Sequence, residues 1–264
     1  MKYFFILLLF LSSAFAQDFS TRYDVHVSLL GNVGHADIEL KESAESYEIK
    51  LVATTTGVAA ALLKNRVETF VSRGKIVEGK YLPDVFIKTK ETTKKSKRTA
   101  YYFDHEKREI RVVEEKSELV NKVRFNPVSF ELISEEVKKS SKEQSIFDEY
   151  KNNDVLSSYL NTRKECNNAA ASYSLKAVGA HDDKNDITVS LLQGEEREAA
   201  ASNFSGSEKE IYDLHVEPFD KDDSIVDVLI VFDNDGLLKE ALLGEIFWVG
   251  KITAKRVYHK ITRN

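Results

Sequence analysis

The feature that most constrains this chain is a period-two alternation of apolar and polar residues between Tyr23 and Thr89. Tyr23, Val25, Val27 and Leu29 point one way, and Asp24, His26 and Ser28 the other. Ile38 and Leu40 alternate with Asp37, Glu39 and Lys41, and Tyr47, Ile49 and Leu51 alternate with Glu48 and Lys50. Successive side chains of a strand leave opposite faces, so the pattern predicts strands with one buried face and one wet face.

The theme repeats to the C-terminus. Gly31-Asn32-Val33-Gly34 supplies a turn between the first two strands, because Gly and Asn tolerate positive φ. Arg66 to Ser72 is expected to pair with Lys75 to Tyr81 around Arg73-Gly74, and Leu82-Pro83 marks a bend or an edge. Val85 to Thr89, Thr99 to Asp104 and Arg108 to Glu115 read as further strands. Ser172 to Ala180, Asp186 to Leu192, Ile211 to Val216, Ile225 to Phe232 and Leu237 to Leu243 read likewise, with a hairpin at Asp233-Asn234-Asp235-Gly236. Ile246 to Ile261 closes the chain as one long strand, or as two meeting near Gly250. With no βαβ rhythm, this predicts a mainly β fold: an antiparallel curled sheet (barrel, half-barrel or sandwich) of roughly a dozen strands.

Two short helices interrupt it. Thr56 to Asn65 is apolar nearly all round, so it is expected to be buried and to plug or gate one end of the curled sheet. Asp154 caps a second helix to about Lys164, with Val155, Leu156, Tyr159 and Leu160 on one face. Residues 119–153 and 193–209 are expected as less ordered insertions within a single β-rich domain over 17–264, although Phe130, Ile133 and Val137 have helical spacing.

The N-terminus carries compartment information. Lys2, the apolar run Tyr3 to Leu11 and the small-x-small site Ala14-Phe15-Ala16 form a secretory signal peptide over residues 1–16, with Gln17 as the expected first residue after cleavage. Such a run is far short of the roughly 20 residues needed to span a bilayer, so the processed protein is expected in the periplasm and not as a transmembrane protein. The single cysteine, Cys166, allows no internal disulfide, so core and sheet pairing must hold the fold.

Charge excludes some partners and leaves one question. A net charge of −5 argues against nucleic acid as a partner. The stretch Lys88 to Arg98 nevertheless holds Lys88, Lys90, Lys94, Lys95, Lys97 and Arg98. Such a run is either a solvated hairpin tip whose like charges deter edge pairing, or a patch for anionic lipid heads.

No motif calls for catalysis, a cofactor or a metal, and the chain is expected not to be an enzyme. Ser72-Arg73-Gly74-Lys75 matches SxxK by letters alone. The acidic groups Asp182-Asp183-Asp186, Asp220-Asp222-Asp223 and Asp233-Asp235 match no calcium loop and suit turns.

Several short pieces, in order, resemble a known family. They are Tyr23-Asp24-Val25 with Gly31 and Gly34; Thr56-Gly57 through Leu63, then Asn65-Arg66-Val67-Glu68; Tyr81-Leu82-Pro83; Tyr101-Tyr102-Phe103-Asp104; Asp154 through Leu160; and Gly244-Glu245-Ile246. In these the chain resembles the bacterial exported proteins grouped as domain of unknown function 3108. The resemblance implies an exported β-rich fold, and neither an activity nor functional residues. The residues themselves suggest a binding protein for a lipid or hydrophobic peptide, with Val58, Leu62, Leu63, Phe70 and Tyr102 as the apolar lining. The alternative is a non-catalytic interaction or scaffold module of the cell envelope, meeting a protein partner through an open sheet edge.

Overall fold

The structure is a computed structural model describing residues 17–128, 130–167, 172–179, 186–204, 210–216, 226–246 and 250–263. The expected leader with Ala14 and Ala16, the turn at 181–185 and the cluster Asp220-Asp222-Asp223 lie outside the described residues. Gln17 is the first residue of a strand.

The first half is a meander of eight strands: β1 (Gln17–Val27), β2 (Gly31–Glu42), β3 (Ser46–Thr55), β4 (Val67–Val77), β5 (Lys80–Glu91), β6 (Lys95–Asp104), β7 (Glu109–Asn126) and β8 (Glu131–Ile146). A short helix α1 (Gly57–Leu62) links β3 to β4. The second half holds β9 (Asn153–Asp154), α2 (Val155–Asn167), β10 (Ser172–Val178), β11 (Asp186–Leu191), α3 (Gly194–Ala201), β12 (Tyr212–Val216), β13 (Val226–Phe232), β14 (Leu238–Ile246) and β15 (Gly250–Arg263).

All fifteen strands join one sheet in the order β8-β7-β6-β5-β4-β3-β2-β1-β15-β14-β13-β12-β11-β10-β9. Every pairing is antiparallel except the two-residue β9, which lies parallel to β10. The chain starts mid-sheet, meanders to one edge, crosses through β9 and α2, and meanders back until β15 pairs with β1. The sheet rolls until β9 and α2 meet β5, and β6 to β8 run on past that seam. Gly179, just after β10, fits there because it lacks a side chain: a Cβ would lie 2.2 Å from the Phe86 ring.

The alternation is realised as cross-strand rows. Leu40, Ile49, Ser72, Phe86 and Tyr101 face one another across β2 to β6 on the inner face. Against this row pack Leu156 and Leu160 of α2. Burying a large apolar side chain of this kind stabilises by about 1.5–3 kcal/mol. A second cluster of Ala177, Val189, Tyr212 and Ile230 lies along β10 to β13. On the opposite face of those strands α3 brings Ala200, and the following Phe204, against Ile211, Val231 and Leu242.

Several expectations are corrected. The plug of the rolled sheet is α2 and not the Thr56 to Asn65 segment: α1 leaves Val58 60% and Leu62 67% exposed. Six helical residues bury little, and only Ala59 is covered. The β4–β5 turn falls at Glu78-Gly79, both with positive φ, and not at Arg73-Gly74. Gly74 instead sits at a register shift beside Leu82-Pro83, where a Cβ would be 1.9 Å from the Leu82 carbonyl oxygen. Residues 119–146, expected as a loose insertion, complete β7 and form β8. Residues 194–201 form α3, with Glu195 and Glu196 in its first turn, where acidic side chains favour the helix dipole. Leu29 lies past the end of β1 and is exposed.

Candidate functional site

The two ends of the rolled sheet are built differently. At one end α2 is fastened by buried polar bonds. The Asp154 carboxylate caps the helix, its Oδ1 accepting from the Leu156 and Ser157 backbone N–H groups at 2.7 and 3.0 Å. Ser72 Oγ donates to Asp154 Oδ2 at 2.6 Å, and the Tyr47 hydroxyl lies 2.9 Å from Ser72 Oγ. Ser72 thus serves the α2 cap, while Lys75 of the SxxK letters is exposed. Burial pushes Asp154 up to about 6 despite those donors. Asn161 makes two hydrogen bonds to the Tyr81 backbone, fixing α2 to the start of β5.

The other end carries a cleft of about 1340 Å³. Its position follows from strand register. Phe70, Lys88, Thr99 and Glu114 form one cross-strand row, and Phe70 packs against the inner core. Two residues further along the strands, on the same face, the next row is Glu68, Lys90, Lys97 and Lys116. The period of two therefore turns several lysines of the 88–98 run into the rolled sheet, past the apolar core.

The cleft is walled by three pieces of chain. Ala61, Lys64 and Asn65 come from the end of α1, Lys90 and residues 92–97 from the β5–β6 hairpin, and residues 116–118 with 139–141 from β7 and β8. Lys64 and Asn65 both adopt positive φ, which ends the helix, and the Asn65 N–H bonds back to the Ala60 carbonyl at 2.7 Å. The freed Lys64 carbonyl accepts from the Thr93 backbone N–H and side-chain hydroxyl. α1 is thereby clasped to the β5–β6 turn, closing one side of the cleft.

Seven lysines line it, against Glu118 as the one acidic lining residue. Four have carboxylate partners. Lys97 lies 2.6 Å from Glu114, which Lys116 also binds; Lys95 lies 2.7 Å from Glu118; and Lys94 lies 3.3 Å from Glu136. Lys64, Lys90 and Lys139 form no ion pair among the described residues. Lys88, deeper on the same face, has its pKa lowered by burial; Glu68 opposes the shift, and Lys90, Lys97 and Arg66 add to it. Burial favours the neutral form of Glu114, but Lys116 and Lys97 outweigh it and hold the carboxyl below its ordinary value. An acidic chain thus concentrates surplus positive charge in one concavity, an arrangement suited to anions.

The five residues expected to line an apolar cavity do not converge. Val58 and Leu62 of α1 and Leu63 just after it are exposed and do not line the cleft, which takes only Ala61, Lys64 and Asn65 from this segment. Phe70 lies deeper on the inner face, stacked on Phe86 at 6.4 Å, with the Lys88 ammonium 5.6 Å from its ring. Tyr102 belongs to the row of Glu48, Arg73, Val85 and Arg111 on the outer face, with the Arg111 guanidinium 4.5 Å from its ring. The open edge of β8 carries Lys138, Lys139, Lys142 and Glu143, a charge pattern that discourages strand addition.

Among the described residues no group of three or more His, Cys, Asp or Glu side chains is placed to hold a metal ion. Asp233 caps its turn and pairs with Arg256 at 2.6 Å. No described helix is long and apolar enough to cross a membrane.

No curated protein matches the chain. Among solved structures, it is similar to the crystal structure of a β-barrel-like protein of domain of unknown function DUF1849 from Brucella abortus. The two are 12% identical, with 93% of this chain and 98% of that chain covered and a TM-score of 0.49. A family model described as "Protein of unknown function (DUF3108)" matches residues 22–135, a span that holds α1 and every cleft lysine except Lys139. The pieces at Asp154 to Leu160 and Gly244 to Ile246 lie beyond that span. Over residues 22–135, from β1 into β8, the chain matches the DUF3108 family of proteins of unknown function that its sequence resembles.

Proposed function

We propose that this is an exported, non-catalytic binding protein of the cell envelope whose ligand is an anionic amphiphile. The observation that carries the reading is the lysine-lined cleft with an apolar helix closing one side. Lys64, Lys90 and Lys139 offer unpaired ammonium groups to an acidic head, and Val58, Leu62 and Leu63 offer a surface to its hydrocarbon chain. Free phosphate shares the head chemistry and lacks the chain, so the apolar rim favours the amphiphile. A charged headgroup gives orientation and the hydrocarbon gives most of the affinity, at about 0.8 kcal/mol per buried CH₂.

The test is native mass spectrometry on protein expressed from the full sequence and recovered from the exported fraction, before and after solvent extraction. An extractable adduct of lipid mass bearing an acidic head supports the reading, and an intact mass beginning at Gln17 supports export. A clean apo mass from repeated preparations, with no uptake of added lysophosphatidylglycerol, overturns it.

A further inference from the structure

Among the described residues, ten of the fourteen exposed large hydrophobic side chains lie at the cleft end of the sheet, and Val77, Ile146, Val257 and Tyr258 lie elsewhere. Half of the ten belong to a projecting arm. β6 pairs with β7 only as far as Glu118, so apart from the Leu119 N–H bond to the Lys94 carbonyl, residues 119–126 of β7 pair with β8 alone. Eight residues at 3.3 Å each carry this two-stranded arm about 26 Å beyond its neighbour. Its far end bears Val123, Phe125, Val128, Phe130 and Leu132, with Val128 88% and Phe130 80% exposed. The Phe125 and Phe130 rings meet edge to face at 6.0 Å.

Phe130 is also strained. Its φ is +55°, a conformation that Gly or Asn adopts at little cost and a bulky aromatic residue adopts at a penalty. A hairpin turn selected only to reverse the chain has no use for Phe there. The side chain carries both backbone strain and exposure to water, which points to a role outside the fold.

From these observations we infer that the arm tip is a membrane-docking element which seats the cleft end of the protein on an anionic bilayer. Charge chooses this occupant. The molecule carries net negative charge while its cleft end holds the seven-lysine concavity, so an anionic surface attracts this end and repels the rest. Two copies meeting tip to tip would instead bring two positive clefts together. The arm itself is close to charge-balanced, Lys122 and Arg124 being set against Glu131, Glu135 and Glu136, so the attraction comes from the cleft lysines, and the arm adds aromatic and aliphatic side chains suited to a bilayer interface. The inference stands apart from occupancy of the cleft, since the tip residues are not among those that line it.

The experiment is vesicle flotation of the full protein, its N-terminus fixed by intact mass. It compares phosphatidylcholine vesicles with vesicles of phosphatidylcholine and phosphatidylglycerol in equal parts. Wild type is expected to float with the anionic vesicles and to be released by salt. Phe125→Ser with Phe130→Ser is expected to lower partitioning at least about tenfold, while leaving lysophosphatidylglycerol uptake by the cleft unchanged. As a second readout, Phe130→Trp should gain a blue-shifted component quenched by brominated lipid, against the background of Trp248. Flotation that is absent, or equal in wild type and the double serine variant, overturns the inference. So does self-association that the double variant abolishes in the absence of vesicles, because the tip would then serve a second copy of the chain.

Discussion

Asp154 offers the sharpest test of how α2 is held in the rolled sheet. Its carboxyl is fully buried and its pKa is raised from 3.8 to about 6, with burial as the main cause. An acid whose pKa is higher folded than unfolded contributes stability that is fully present below the unfolded value and lost as pH rises through the folded one. The whole contribution is about 3 kcal/mol, at about 1.4 kcal/mol per unit, and about 1.4 kcal/mol of it disappears between pH 5 and about pH 7.5. Asp154→Asn removes the titration and keeps the helix cap, because Asn Oδ1 still accepts from the Leu156 and Ser157 N–H groups. The Asn amide then faces Ser72 Oγ, whose own hydrogen is freed for the Tyr47 hydroxyl 2.9 Å away. Urea unfolding of both proteins at the two pH values should show the wild-type advantage over the variant shrinking by about 1.4 kcal/mol as pH rises. A difference that stays constant, or grows in favour of wild type, would refute the reasoning. It would mean that the Ser72, Leu156 and Ser157 donors hold the carboxylate ionised and that burial is the lesser force.

Other consequences follow from packing and backbone geometry. Leu160→Ala should cost about 2–5 kcal/mol in urea unfolding, since that side chain is 1% exposed in the α2 core, whereas Leu62→Ala should change stability by no more than about 0.5 kcal/mol. Equal losses from the two would restore α1 as the plug. Gly74→Ala should cost more than about 3 kcal/mol or prevent folding, because its Cβ would strike Leu82 and Pro83 backbone that cannot move without breaking the β4–β5 ladder. Phe130→Gly should be neutral or stabilising by up to about 1 kcal/mol, through release of the positive-φ strain, and a loss of stability would show that the ring serves the fold.

Legibility of the sequence tracked how locally each feature is determined. The strands β1 to β6 stand out because each has one wet face and one dry one, and the Asp154 cap and the Asp233 turn are readable because side chain and backbone meet within four residues. The arm was illegible for the opposite reason. At the edge of the sheet β8 has no buried face, so its Glu and Lys residues show no alternation, and Phe130, Ile133 and Val137 mimic a helical period by chance. α1 departs from the burial its composition suggests because apolar composition implies burial only if a surface exists to cover it, and six residues at the rim of a sheet find none. The cleft hid in a run that looks like a solvated tip. The missing signal was parity: Lys88 and Lys90 on β5, and Lys95 and Lys97 on β6, share the face of Phe70, and strand register alone brings them against Lys116. Partners as far apart as Lys139 of β8 and Lys64 beyond α1 carried no mark in the sequence.

The most direct test of the central claim is a pair of calorimetric titrations, with lysophosphatidylglycerol and with lysophosphatidylcholine of the same chain length, each kept monomeric. The two ligands share a tail and differ in net charge. Wild type should bind the anionic one at least about tenfold tighter, and Lys64→Glu with Lys90→Glu and Lys139→Glu should erase that preference while leaving the fold intact by circular dichroism. Equal affinity for the two headgroups, or a preference that survives the triple charge reversal, would contradict the assignment of the lysine-lined cleft as the binding site.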